Sequence, residues 1–212
     1  MRLLLVRHAE TVSNVESLID TGIPGGGLTA LGHRQSHALV NTLSGEPIDA
    51  IYASTHTRTG LTADPLARVR GITVEVDSGL GEISAGSLEM RGDSVAIAEY
   101  LSVLESWVGG RLSRRMPGGE NGHEFLARYD FALQRIRAAR CRAAAVFSHG
   151  GAIRTWTLIR ARDAAGVVDV NRDVRNTEAI ILTCTDSGWQ LTGMFEPDNA
   201  SCVRADPLQD FE

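Results

Sequence analysis

The sequence predicts an α/β fold: a three-layer, doubly wound and mostly parallel sheet with helices on both faces. Two observations predict it. Short apolar runs typical of buried strands alternate with longer segments of helical periodicity, a pattern that favours a parallel sheet. The chain has 212 residues, 43% hydrophobic and 22% charged, which suits one sizeable core. We therefore expect a single domain over 1–196, with a helical insertion at about 92–140 and a tail at 197–212.

The first half of the chain alternates strands and helices. Strands are predicted at residues 3–6, 48–53 and 72–76. A helix is predicted over 29–43, because Thr29 can cap its start and Gly45 can stop it. A second helix is predicted over 55–68, which Pro65 is expected to kink or shorten.

The second half begins with the insertion. Residues 79–92 carry four glycines and are expected to be irregular. Helical spacing follows over 94–108, then a loop, then an amphipathic helix whose apolar positions are Phe125, Leu126, Tyr129, Ala132, Leu133 and Ile136. The predicted elements after it are a strand at 143–147, a helix at 152–161, and strands at 179–183 and 189–194 around an Asp186-Ser187-Gly188 turn.

Charge and composition exclude several classes of function. The net charge is −5 and the pI about 5.7, which disfavours a nucleic-acid partner. All 21 basic residues are arginine. The absence of lysine excludes a lysine Schiff base and a Walker A loop, and leaves arginine forks that suit phosphate or carboxylate.

Targeting signals and cysteine pairs are missing from the sequence. The cysteines at 141, 184 and 202 form no CxxC pair, which argues against a disulfide framework or a cysteine zinc site. The apolar run at residues 3–6 is too short for a signal peptide, and no run approaches the roughly 18 residues of a membrane span. We expect a cytoplasmic protein with no membrane partner, and an exposed strand edge would allow a homodimer.

Polar side chains follow the predicted strands at the points where they end. Arg7 and His8 follow the first strand, Arg58 the second, Glu82 the third and His149 the fourth. In open parallel sheets, ligands bind beyond the carboxyl ends of the strands, so these side chains are expected to meet. Two arginines beside a helix N-terminus suit a dianion, a histidine can act as a nucleophile, and a glutamate can donate a proton.

The same residues stand within six motifs. The segments are Arg7-His8-Ala9-Glu10-Thr11 with Asn14, Ser54-Thr55-His56-Thr57-Arg58 with Thr62-Ala63, Leu80-Gly81-Glu82-Ile83 with Gly86 and Leu88-Glu89, Pro117-Gly118-Gly119-Glu120, Val146-Phe147-Ser148-His149-Gly150-Gly151, and Asn176-Thr177-Glu178-Ala179. From residue 2 to about 195, they resemble in order the motifs of the histidine phosphatase superfamily, also called phosphoglycerate-mutase-like. One departure is Ala9, where the family signature usually has glycine. Alanine fits there unless the position needs a positive φ.

The resemblance implies a mechanism and a set of site residues. His8 would attack phosphorus and carry a transient phosphoryl group. Arg7, Arg58 and His149 would hold the phosphoryl oxygens, with Asn14 as a secondary contact that could equally cap a helix. Glu82 would protonate the leaving alcohol and then activate water. The resemblance implies no metal and no cofactor, and a small phosphorylated metabolite as the partner.

Four functions remain open at this point. The first is hydrolysis of small phosphomonoesters. A cofactor-dependent phosphoglycerate mutase would use the same residues, but the short insertion, with one proline near Arg114 and Arg115, favours the phosphatase. A non-catalytic module that binds phosphorylated ligands, and a serine hydrolase based on Ser148 and His149, are weaker alternatives because nucleophile, cage and acid are all present and GxSxG is not.

The remaining polar residues are given structural interpretations. His33 and His37 are expected on a solvated helix face, His56 at the surface near the pocket, and His123 as a cap or in solvent. Glu89 is expected to be structural. The arginines at 111, 114 and 115 are expected in a solvated loop, with contact to an acidic substrate as the alternative.

Overall fold

The computed structural model describes residues 1–165, 168 and 174–197. The predicted tail lies outside the described residues apart from Pro197. The strands are β1 (Arg2–Arg7), β2 (Ala50–Ala53), β3 (Val74–Val76), β4 (Ala143–Ser148), β5 (Ala161–Arg162), β6 (Ala179–Thr185) and β7 (Gly188–Phe195). The helices are α1 (Val12–Val15), α2 (Ala30–Thr42), α3 (Thr57–Arg70), α4 (Ser94–Val108), α5 (Gly122–Ala138) and α6 (Gly150–Arg160).

The strands form one sheet in the order β3-β2-β4-β1-β6-β7-β5. The pairs β2–β3, β2–β4, β1–β4 and β5–β7 are parallel, whereas β1–β6 and β6–β7 are antiparallel. The predicted α/β class with a mostly parallel sheet is therefore confirmed. The two antiparallel pairs arise because β6 and β7 form the hairpin predicted around residues 186–188.

The alternation of side chains along β1 creates the three layers. Leu3 and Leu5 belong to a core on one face of the sheet, together with residues of α4, α5 and α6. Leu4 and Val6 belong to a second core on the opposite face, with residues of α2 and α3. Because successive strand residues point to opposite faces, a run of four apolar residues can supply both cores.

The helix boundaries follow local chemistry. The Thr29 side chain caps α2 by accepting from Gly32 N, and Asn121 caps α5 in a reciprocal capping box with Glu124. Gly71, at φ +66°, ends α3 in the left-handed conformation that glycine adopts without strain. The predicted helix at 94–108 matches α4.

The expectation that Pro65 shortens α3 is wrong. The helix begins at Thr57, continues through Pro65 and ends at Arg70. Proline removes one hydrogen bond, to the carbonyl four residues earlier. That residue, Leu61, is exposed, so water can take the place of the lost donor.

Two elements were not predicted, the four-residue α1 and the two-residue β5, since neither is long enough to show a period. The irregular stretch at 79–92 is confirmed and contains two short 3₁₀ turns, Ser78–Leu80 and Gly86–Leu88. Helices α4 and α5 lie between β3 and β4, where the insertion was predicted. Among the described residues, none of the helices has both the length and the apolar character needed to span a membrane.

Candidate active site

The candidate site lies at the carboxyl ends of three neighbouring parallel strands. Val6 of β1 and Ala53 of β2 both pair with Phe147 of β4, so these three strands end in one row. The residues that follow them are therefore brought side by side. A cavity of about 440 Å³ opens there. Of the predicted site residues, it is lined by Arg7, His8, Asn14, Arg58 and Glu82.

One ring nitrogen of His8 forms a hydrogen bond to the backbone. Its Nδ1 lies 2.8 Å from the carbonyl oxygen of Ala9 and must donate, because a carbonyl oxygen only accepts. In the neutral ring this leaves Nε2 without a proton, the form that attacks phosphorus. His8 is 4% exposed, and burial, with Arg58 and Arg7 next, lowers its pKa well below the usual range.

Ala9 fits the position where the family signature has glycine. It is fully buried, its N–H donates to Thr62 Oγ1 at 3.0 Å, and its φ is not positive. The position therefore does not need the conformational freedom of glycine.

Arg58 extends from the first turn of α3 into the cavity and is 1% exposed. Its Nη2 donates to Asp20 O at 2.9 Å, and its Nη1 lies 3.5 Å from Asp20 Oδ1. Within the described part of the chain, Nε and Nη1 have no hydrogen-bond partner. Burial lowers the pKa of Arg58, opposed by the Asp20 carboxylate. Gly25 makes room for the guanidinium, since a Cβ there would lie 2.3 Å from Nη1.

Arg7 lies over the start of α6. Its Nη1 donates to Val174 O, and a Cβ on Gly150 would be 3.2 Å from its Nε. Glycine at 150 therefore allows the guanidinium to approach the backbone amides that open the helix. A guanidinium beside a helix N-terminus is a favourable place for an anion.

His149 lies next to His8, with ring centroids 5.4 Å apart, and is fully buried. Its Nε2 lies 2.8 Å from Ser54 Oγ, while its Nδ1 has no hydrogen-bond partner among the residues described. When the Ser54 hydroxyl donates to Nε2, the proton of the neutral ring sits on Nδ1, which can then donate to a ligand. Burial and the Arg58 charge lower the pKa of His149 well below its usual range.

The prediction that His56 is a surface residue is wrong. It is 3% exposed, and its ring centroid lies 4.4 Å from that of His149. Its Nε2 donates to Thr21 O at 3.0 Å, and its Nδ1 lies 3.2 Å from Ser54 Oγ. The loop around Thr21 covers it, which a local pattern could not indicate. His56 therefore packs against His149 and shares Ser54 with it, and the single hydroxyl proton of Ser54 can go to only one of the two rings.

Glu82 is held at the amino end of α6. One carboxylate oxygen accepts from Ala152 N and Ile83 N, each at 2.8 Å, and the other accepts from Gly151 N at 3.1 Å. A Cβ on Gly151 would lie 2.9 Å from Oε1, so glycine permits this approach. The carboxyl group thus lines the same cavity as His8, Arg7 and Arg58.

Asn14 takes the capping role left open for it, while its contact with a phosphate group stays a prediction. Its Oδ1 accepts from Thr11 N in the capping box of α1 and from Asn176 Nδ2 at 3.1 Å, and it also lines the cavity. The Asn176 amide donates in addition to His8 O at 2.9 Å. The late motif at 176–179 therefore braces the loop that carries His8.

Several residues of the site were missed from the sequence. Asp20, Tyr100, Arg154 and Asn176 line the cavity, and Ser54 and His56 bond to or pack against His149. Arg154 is buried and stands one helical turn after Gly150, a spacing that could have indicated it. The others depend on loops whose paths the sequence does not indicate.

The structural interpretations of other residues agree with the coordinates. Glu89 accepts from Thr21 N and Gly22 N, and His33, His37 and His123 are exposed. Arg114 pairs with Glu99, and Arg115 with Glu124. In the ranges that the structure describes, no cluster of three or more His, Cys, Asp or Glu side chains could hold a metal ion.

Comparison with known proteins adds three findings. Residues 3–197 match the sequence profile of the histidine phosphatase superfamily (branch 1). The PE-PGRS family protein PE_PGRS11 of Mycobacterium tuberculosis is 32% identical over 203 residues, 88% of this chain. The chain spans 35% of that relative's length. The putative phosphoserine phosphatase 2 of Hydrogenobacter thermophilus is 27% identical over 204 residues, 90% of this chain and 99% of that protein.

Solved structures of other proteins share the fold of this chain. The mycobacterial glucosyl-3-phosphoglycerate phosphatase has a TM-score of 0.73 at 24% identity, covering 90% of this chain and 96% of that one. At this identity the likeness establishes a shared architecture.

Proposed function

This chain belongs to the histidine phosphatase superfamily, and from that membership we propose that it is a phosphoric monoester hydrolase working through a phosphohistidine on His8. One observation carries the proposal. His8, which is buried and whose pKa is lowered well below the usual range, lines the same cavity as Arg7 and Arg58. A nucleophile and a cationic cage in one cavity suit attack on a phosphate dianion.

In the first step, Nε2 of His8 forms a bond to phosphorus as the ester P–O bond breaks. The lowered pKa of His8 keeps the ring unprotonated, and the bond from Nδ1 to Ala9 O fixes the orientation of the ring. The same bond stabilises the positive charge that the ring gains on phosphorylation.

The charge of the transferring group is held by Arg7, Arg58 and His149. The unpartnered Nε and Nη1 of Arg58 and Nδ1 of His149 are donor positions that three phosphoryl oxygens could fill. Buried donors that need no reorganisation are the largest contribution in this kind of chemistry. Asn14 is proposed as a further contact at the edge of the cavity.

Glu82 is proposed as the proton carrier. In its protonated form it gives its proton to the leaving alkoxide oxygen, which departs as an alcohol. The resulting carboxylate then takes a proton from water, whose oxygen bonds to phosphorus as the P–N bond breaks and phosphate leaves. Acid and base assistance of this kind contributes about 10²- to 10⁴-fold. The scheme needs no metal or cofactor.

The other functions are less favoured. A mutase would use the same residues and return the phosphoryl group to another hydroxyl, but α4 and α5 leave a short insertion for clamping a second phosphorylated substrate. A serine hydrolase is disfavoured because the buried Ser148 Oγ donates to Leu80 O and accepts from Tyr129 OH. A binding-only module would leave nucleophile and acid without a role.

The setting of the enzyme is part of the proposal. We place it in the cytoplasm, acting on a small phosphorylated metabolite, as a single domain over 1–196 in which the segment at about 92–140 is an insertion and 197–212 a tail. A homodimer formed through a sheet edge is proposed as well. Because His8 stays neutral below the usual histidine pKa, activity should persist at mildly acidic pH, as in an acid phosphatase.

The test is phosphate release from a panel of phosphorylated metabolites, comparing wild type with His8→Ala. We expect His8→Ala to lose at least about 10⁴-fold in kcat/KM, and the exposed control His33→Ala to keep full activity. Acid-labile, alkali-stable label from a ³²P ester should appear on wild type alone. Wild-type turnover by His8→Ala would refute the proposal, and interconversion of 2- and 3-phosphoglycerate faster than phosphate release would favour the mutase.

A further inference from the structure

The cavity has an apolar wall opposite its phosphate cage. Ile97, Leu101 and Leu104 of α4 line it at i, i+4 and i+7, one stripe of the helix. Leu18 and Ile19 line it from the segment after α1. The cavity therefore offers apolar side chains to a ligand that extends beyond its phosphate group.

These side chains are not all needed by the core. On α4, Val103, Leu104 and Trp107 are buried in the core, whereas Ile97 and Leu101 are only half-buried. Leu18 and Ile19 are half-buried too. Apolar surface left open inside a cavity lowers the free energy of a ligand that covers it.

We propose that this wall is a subsite for the alcohol part of the substrate, and that the substrates are phosphomonoesters whose alcohol carries an alkyl or aryl group. The proposal rests on the function proposed above and names its substrate class. A cavity of about 440 Å³ is far larger than a phosphate group, so most of it is left for the alcohol. Covering apolar surface contributes about two- to fourfold in affinity per methylene group.

Arg154 supports a competing substrate class. It is a buried cation that lines the same cavity, and it would suit a carboxylate on the alcohol. The stripe on α4 favours the apolar class, because Ile97 and Leu101 leave hydrocarbon exposed in the cavity.

The test uses phosphate esters of primary alcohols, whose leaving groups are chemically matched: ethyl, hexyl and 2-phenylethyl phosphate, with phosphoserine and glycerol 3-phosphate for comparison. We expect kcat/KM to rise at least about tenfold from ethyl to 2-phenylethyl phosphate, mainly through KM. A preference for phosphoserine over hexyl phosphate would overturn the apolar class in favour of the carboxylate class.

A matched pair of variants on α4 assigns the effect to the wall. Leu101→Ser should lower kcat/KM for 2-phenylethyl phosphate about fivefold to tenfold and change that for ethyl phosphate less than about twofold. Val95→Ser, at a position 72% exposed and outside the cavity lining, should change neither. Equal losses on both esters in Leu101→Ser would contradict the proposal.

Binding of phosphonates separates this proposal from the proposed function. These analogues cannot be hydrolysed, so calorimetry compares 2-phenylethyl with methyl phosphonate without any turnover. Tighter binding of the first, lost in Leu101→Ser, would support the subsite even if no ester were hydrolysed, which would refute the function alone. Equal affinities would refute the subsite whatever the catalytic result.

A second feature of the structure is the set of contacts that holds the Glu82 segment in place. The guanidinium of Arg128, on α5, donates to three carbonyls of the segment that bears the acid: Gly79 O at 3.0 Å, Gly81 O at 2.9 Å and Glu82 O at 2.9 Å. It also forms a two-pronged ion pair with Glu120 at 2.7 and 2.9 Å.

The loop at 117–120 completes this arrangement. Glu120 Oε1 accepts from Ser84 N at 3.0 Å, and Pro117 O accepts from Ser87 N at 2.8 Å. Gly86, at φ +55°, packs so tightly that a Cβ would lie 2.2 Å from Pro117 O. The loop is therefore fitted to the backbone on the carboxyl side of Glu82.

We infer that Arg128 is a positioning residue for Glu82, with Glu120 as its partner. This gives the 117–120 motif a role that the phosphate chemistry leaves unexplained. A planar guanidinium can serve three carbonyls and a carboxylate at once, which the point charge of a lysine cannot.

The test compares a good and a poor leaving group. p-Nitrophenol leaves without protonation, so Arg128→Gln should change the initial burst less than about threefold, while turnover of ethyl phosphate falls about 10- to 100-fold. Arg128→Gln should also slow the attack of water on the phosphohistidine, so that more phosphohistidine is present in the steady state. Arg128→Lys should restore part of the turnover.

The control is Arg137→Gln, which changes an exposed arginine in the last turn of the same helix. It should behave as wild type with both esters. If Arg128→Gln lost the same factor with both leaving groups, or lost nothing, Arg128 would have no specific connection to the acid.

Discussion

The two ends of the cavity are built differently. The phosphate end is made of charged, buried side chains at strand termini, where Arg58 is 1% exposed and His149 is fully buried. The alcohol end is made of half-buried apolar side chains on α4, in the insertion. We infer that residues following the strands carry the proposed reaction, whereas the proposed preference for the alcohol depends on α4.

The largest expected effect comes from removing a cage cation. Arg58→Gln should lower kcat/KM about 10²- to 10³-fold for every ester, since it removes a buried cation that we propose holds the phosphoryl oxygens. Arg68→Gln, an exposed residue of the same helix, should have no effect. Steady-state kinetics check this, and a loss below tenfold would mean that the phosphate end does not depend on its charge.

A tenfold effect on kcat is expected for Ser54, which bonds to His149 of the proposed cage. Ser54→Ala removes the hydroxyl that bonds Nε2 of His149 and should lower kcat about tenfold with little change in KM. Thr57→Ala, an exposed neighbour, is the control. Unchanged kcat in Ser54→Ala would show that the orientation of His149 is fixed by packing alone.

The acid sensitivity of folding should also come from the phosphate end. The folded-state pKa values of His8 and His149 lie well below the unfolded value of about 6.5. Below pH 6.5 the unfolded chain therefore binds more protons than the folded chain. As the pH is lowered, the free energy of unfolding should fall by up to about 1.4 kcal/mol per pH unit for each histidine.

Urea unfolding at pH 7.5, 6.5 and 5.5 measures this slope. His149→Gln should flatten it, while His37→Gln, which changes an exposed histidine, should not. An identical slope in His149→Gln and wild type would place the acid sensitivity elsewhere in the molecule.

The smallest effect is expected at the alcohol end with a small substrate. Tyr100 lines the cavity from α4, and its hydroxyl donates to Ile83 O at 3.1 Å. Tyr100→Phe should change kcat/KM for ethyl phosphate less than about threefold, because it removes only this hydroxyl and keeps the ring, while Arg128 still holds the segment that carries Glu82. A loss near that of Arg58→Gln would erase the distinction between the two ends.

The residues that follow the parallel strands could be predicted from the sequence, whereas residues held by distant loops could not. Arg7, His8, Arg58 and His149 were found because parallel strands β1, β2 and β4 end in register, and residues after such strands share one edge. Helix α4 was predicted with its observed bounds from the helical spacing of its apolar residues over 94–108.

What was missed depends on contacts distant in sequence. His56 was expected at the surface, but the loop at Thr21 covers it. Pro65 was expected to disturb α3, but its lost hydrogen bond falls near an exposed residue, Leu61. Arg128 gave no local signal, since its partners are carbonyls about 46 to 49 residues earlier in the chain.

The buried charged and polar groups of the proposed phosphate end lower the stability of the fold. Nδ1 of His149 and Nε and Nη1 of Arg58 are buried with no hydrogen-bond partner among the described residues, and such atoms typically cost about 1 to 3 kcal/mol each. In a related protein under no selection for activity, substitution of His149 and Arg58 by apolar residues would increase stability. Their persistence in a descendant would therefore record continued selection for turnover, and their loss would mark the point at which the fold was kept for another purpose.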